Sequence, residues 1–157
     1  MKTLCVFILF SVSILPQETT MVFHGNEIQL GMSMDSIWDL LKPELNVVED
    51  KEGNFYVSDD KDNPVGIIYF KNEKVVKVVK DWGTTFKSNV GQVFQTLWKI
   101  FRQYGEELDA VKVLPLETYT PKGDRTSLQF YIKKNRYIDV TIQHSVTISE
   151  VLEEPVN

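Results

Sequence analysis

The chain of 157 residues has one cysteine, Cys5, two histidines, and no run of apolar residues longer than the stretch Leu4 to Leu15. Each shortage removes a class of function. Once the N-terminal segment is set aside no thiol remains, so neither a disulfide nor a thiolate nucleophile nor a cysteine metal site is expected. His24 and His144 have no ligand-like or catalytic companion at a fixed spacing, and His144 reads as a surface residue. The chain contains no glycine-rich phosphate loop, no GxSxG and no HExxH. Basic residues are scattered: 17 Lys and Arg stand among 22 Asp and Glu, for a net charge of −5. A nucleic-acid partner, which asks for a basic stripe, is therefore not expected.

The apolar stretch Leu4 to Leu15 follows Lys2 and is broken by Pro16-Gln17-Glu18. At about 12 residues it is shorter than the roughly 20 that span a bilayer, and it has the form of a secretory signal. Residues 1–17 are read as that signal, with cleavage between 13 and 20, and no membrane span is expected in the mature chain. Cys5 lies near the start of the stretch, where a lipid-anchoring cysteine does not occur. The expected location is secreted or periplasmic; a start at Met21 would instead leave the protein in the cytoplasm.

What is present is periodicity. Met34, Ile37, Trp38, Leu41 and Leu45 share one helical stripe, with Ser33 as N-cap, Asp35 at the positive end of the dipole and Pro43 as a stop. Val90, Val93, Phe94, Leu97, Trp98, Phe101 and Tyr104 form a second, wider stripe. Each helix is followed by β-like segments, including two similar hairpins, "YFKNEKVVKV" from Tyr69 and "YIKKNRYIDV" from Tyr131. Trp38 and Trp98 lie 60 residues apart and the two hairpin tyrosines 62, which suggests a copied unit. The expected fold is α+β: two tandem helix-plus-three-strand repeats, over 24–82 and 88–145, forming a joined antiparallel sheet with the helices on one face, and a tail over 146–157.

In such a sheet the face away from the helices is uncovered. With a two-residue loop at Asn72-Glu73, Ile68, Phe70, Val75 and Lys77 fall on that outer side. A loop at Lys134-Asn135 places Phe130, Ile132, Tyr137 and Asp139 there too. These eight are the expected partner-binding residues, since an apolar patch with a charged rim marks a protein interface. A register slip of one would exchange the faces. The carboxylates of Ser58 to Pro64 read as a solvated turn, so no metal, cofactor or catalytic residue is expected; a hydrolase using Asp59 or Asp62 is the outlying reading.

"IQLGMSMDSIWDLL" from Ile28 to Leu41, with "IIYFKNEKVVKV" downstream, resembles the small α+β repeat of β-lactamase inhibitory proteins and of the small lipoprotein of the bacterial outer-membrane barrel-assembly machinery. The likeness covers Ile28 to about Trp82 and is degenerate from Gly91 to Ile142. It implies an exported, non-enzymatic module of inhibitor or assembly-factor type that binds an unidentified protein through its sheet. The family's disulfides and anchoring cysteine have no counterpart in this chain. The alternative is a carrier of a small apolar ligand, with its pocket under the curved sheet.

Overall fold

The computed structural model describes residues 19–104, 112–119 and 124–155; the expected signal segment lies outside them. A hairpin, β1 (Thr20–Phe23) and β2 (Asn26–Gln29), leads into α1 (Met34–Leu41). Four strands follow: β3 (Asn46–Glu49), β4 (Phe55–Ser58), β5 (Pro64–Lys71) and β6 (Lys74–Thr85). Then come α2 (Val90–Tyr104), β7 (Lys112–Thr118), β8 (Arg125–Lys133), β9 (Arg136–Ile142) and β10 (Val146–Glu153). The eight strands from β3 onward form one antiparallel sheet in the order β3-β4-β5-β6-β10-β9-β8-β7.

This corrects the expected fold class. Strands hold 54% of the described residues and helices 18%, so the protein is mostly β and is not two helix-plus-three-strand repeats. The hairpins β5–β6 and β8–β9 do not meet edge to edge, because β10 lies between them and pairs with both β6 and β9. That strand is built from the stretch expected as a tail. It was obscured by Glu150, a charge at an inward position where the alternation Val146, Ile148, Leu152 calls for an apolar residue.

Local signals account for the helices. Ser33 Oγ accepts from Ser36 N at 3.3 Å to cap α1, and Asn89 Oδ1 accepts from Gln92 N at 3.3 Å at the start of α2. Asn72 and Glu73 both take positive φ, 51° and 59°, the backbone of the primed two-residue hairpin turn.

Both helices and the β1–β2 hairpin lie on one face of the sheet. Under α1 and the hairpin, Met21, Phe23, Ile28, Ile37, Leu41, Phe55, Ile68, Val75 and Val78 form one core. Phe23 sits over Gly66, where an added Cβ would come within 2.1 Å of the Val79 carbonyl oxygen and 2.7 Å of the Phe23 ring. Under α2, Leu97, Ile100, Ile132, Ile138, Val140, Val146 and Ile148 form a second core.

Between the two cores lies a buried polar knot. Glu150 accepts from Trp82 Nε1 at 3.0 Å and from the Tyr104 hydroxyl, and stands 3.4 Å from Arg136 Nε. Arg136 Nη2 also donates to the Thr20 carbonyl at 2.8 Å. Buried charges persist only when paired and hydrogen-bonded. Here the pair ties β9 and β10 to the end of α2, to β6 and to the N-terminal hairpin.

Candidate functional site

The eight residues expected on the outer face divide between the two faces of the sheet, for one physical reason. Each hairpin has a β-bulge close to its turn. In the first, Phe70 opposes Val75 but Tyr69 opposes Lys77, leaving Val76 as the extra residue; in the second, Lys133 opposes Arg136 but Tyr131 opposes Tyr137, leaving Ile132 extra. A bulge shifts the alternation of one strand relative to its neighbour. Ile68 and Val75 are therefore fully buried under α1, with Phe70 packed beside them, and Phe130 and Ile132 face α2. Lys77, Tyr137 and Asp139 point to the helix-free face, as expected.

The remaining residues of that face come from every strand. In register across the whole sheet run Val48, Tyr56, Ile67, Val79, Val151, Tyr137, Tyr131 and Lys112, one from each of the eight strands. At about 4.8 Å per strand the row is about 34 Å long, and only its last member is charged. Tyr56 and Val48 are 49% and 64% exposed at one end, whereas Val151 and Tyr137 in the middle are buried by their neighbours. Tyr131 and Tyr137 stack with ring centroids 5.0 Å apart.

Charge pairs flank the row on either side. Lys77 Nζ lies 2.7 Å from Glu153 Oε2, and the Tyr137 hydroxyl reaches the same carboxylate at 3.5 Å. Burial would lower the Lys77 pKa, but its hydrogen bond to Glu153 and the neighbouring Tyr137 outweigh that and raise it. On the other side Arg125 Nη2 stands 3.6 Å from Asp139. Burial of Asp139 raises its carboxyl against the opposing pull of Arg125. The phenols of Tyr69 and Tyr137 are both pushed up by burial.

At the Val48 and Tyr56 end the face hollows into a cleft of about 450 Å³, lined by these two residues with Ile67, Val79, Asp81 and Ser149. Asp59 belongs to a turn at its edge and accepts from Lys61 N, Asn63 N and Asn63 Nδ2. The Asn63 bonds chiefly hold its pKa low. Its oxygens serve the loop backbone and the Asn63 side chain.

A simple signal pointed to this face and was missed. Three strands carry adjacent phenylalanine and tyrosine: Phe55-Tyr56, Tyr69-Phe70 and Phe130-Tyr131. Neighbours on a strand face opposite ways. Each phenylalanine goes to a helix-covered core, and each tyrosine, whose hydroxyl needs a partner or water, goes to the open side.

No family model matches the chain, and neither a curated protein nor a solved structure matches it. The resemblance to β-lactamase inhibitory repeats therefore rests on the residues that carry it. Among the described residues no helix is long and apolar enough to cross a membrane.

Proposed function

We propose that the chain is an exported, non-enzymatic protein-binding module, of inhibitor or assembly-factor kind, that takes a folded protein partner on the helix-free face of its sheet. The observation that supports this is the eight-strand row from Val48 to Lys112, apolar or tyrosine at seven of its eight positions. A solvated antiparallel face ordinarily alternates to polar residues. Tyrosines offer large rigid contact area with little side-chain entropy to lose, and the ion pairs Lys77–Glu153 and Arg125–Asp139 would orient the partner. The partner surface that fits is apolar at its centre with charges of both signs at its rim.

The test is a double variant, Tyr56→Ser with Ile67→Ser, used as bait for proximity capture in the native cell envelope. Loss of a captured protein that the parent retains, with an unchanged circular dichroism spectrum, supports the reading; equal capture by both baits refutes it. A Phe130→Asp change, by contrast, strikes the core under α2. The cleft of about 450 Å³ favours a second reading, a carrier of a small apolar ligand. Native mass spectrometry of protein from its own cell separates the two, because a carrier keeps a bound mass that the double variant loses.

A further inference from the structure

On the opposite side of the sheet, α2 presents more apolar surface than its own core uses. Phe86, Val90, Phe94 and Trp98 are 78%, 55%, 67% and 71% exposed. Val90, Phe94 and Trp98 follow one another at intervals of four along α2, with Arg102 next in the series, and Phe86 lies four residues before Val90 in the turn that precedes the helix. On a helix such spacing makes a single ridge, and ridges of this kind interdigitate when two helices cross. Beside the N-terminal end of the ridge is a hole, an apolar cleft of about 270 Å³ lined by Val90, Phe94, Leu128, Ile142 and Val146 with Lys87.

We infer that this ridge is the contact between two copies of the chain, paired antiparallel about a two-fold axis at Phe94. Knob and hole lie on one helix, with Trp98 two turns from Val90, about 12 Å along the axis. An axis midway between them sets the indole of each copy into the cleft of the other, which is the self-complementarity that an isologous dimer requires. The same operation opposes the two helix dipoles.

The exposed area suits a weak, transient pair. Three aromatic side chains at these exposures, with Val90, offer roughly 400–600 Å² per copy. The pair would bury about 800–1,200 Å², at the lower limit of a specific interface. The dimer would leave the tyrosine-bearing face, on the far side of the sheet, free in both copies.

Sedimentation velocity on the full chain tests this. The parent should show a monomer–dimer equilibrium with a dissociation constant on the order of 1–100 μM. Trp98→Ala, at an exposed position, should weaken it by about 30-fold or more with the spectrum of the fold unchanged. In a Cys5→Ser background, Phe94→Cys should cross-link to itself under mild oxidation, since facing backbones at a helix contact come within disulfide reach. A monomer throughout, a dimer indifferent to Trp98→Ala, or no cross-link at residue 94 in a sample that is dimeric would overturn the inference. So would binding of the monomer to phosphatidylglycerol vesicles that Trp98→Ala abolishes.

Discussion

The eight residues of α1 and the fifteen of α2 rest on the same sheet face with opposite results. The shorter helix, helped by the β1–β2 hairpin, closes its half: Phe23, Ile28, Ile37 and Leu41 have no exposed surface. The longer one buries Leu97 and Ile100 but leaves Phe94 and Trp98 in solvent. Trp38 and Trp98, aligned by their spacing in the sequence, show the difference most clearly. Trp38 stands edge-on to Phe55 with centroids 5.4 Å apart, whereas Trp98 is 71% exposed. Among the described residues the second half has no hairpin beside its helix. Equivalent-looking apolar stripes are thus buried in one half and leave an exposed ridge in the other.

The knot between the halves should give the largest effect. Glu150→Ala removes the buried carboxylate that accepts from Trp82 and Tyr104 and stands 3.4 Å from Arg136, and should cost about 3–5 kcal/mol, read from urea denaturation; a loss below about 1 kcal/mol would mean the halves do not depend on their seam. Next comes a paired truncation that contrasts the cores. Phe23→Ala should cost about 3–5 kcal/mol, while Phe101→Ala, half-buried at the edge of the second core, should cost less than about 2 kcal/mol. Equal losses would show that α2 is as tightly held as α1.

A smaller effect belongs to the helix-free face. Tyr69 and Tyr137 have folded pKa values above the ordinary 10.0, and Lys77 above 10.5. All three groups hold their protons more firmly when folded, so their contributions are complete below the unfolded values and are lost as pH rises through the folded ones. Stability should therefore hold through neutral pH and fall above about pH 10, less steeply in Tyr137→Phe. An identical alkaline profile in that variant would remove Tyr137 from the account. The smallest expected change is that of Trp98→Ala on monomer stability, within about 0.5 kcal/mol. A larger loss would make the exposed ridge part of the fold.

Much of the local structure was legible. The Ser33 cap, the Pro43 stop, both apolar stripes and the Asn72-Glu73 turn are properties of short windows, and short windows decide them. What escaped depends on distant partners. The bulges at Val76 and Ile132 change no composition, yet they send Ile68, Phe70, Val75, Phe130 and Ile132 to the helices while Lys77, Tyr137 and Asp139 stay outside. Glu150 hid a central strand because its reasons for being buried, Arg136, Trp82 and Tyr104, come from elsewhere in the chain. The phenylalanine and tyrosine dipeptides were the local clue that could have fixed the faces.

The position of β10 has a kinetic consequence. Lys77 and Glu153, 76 residues apart in sequence, are held side by side, and the strand-to-strand pairing between the two sides of the sheet runs through that one strand. Long-range pairing of this kind is slow, because the loop must close before any contact rewards it. Until Val146–Glu153 inserts, β6 and β9 each present an unpaired edge. During that interval the chain is most open to joining strands with a neighbour instead of with itself.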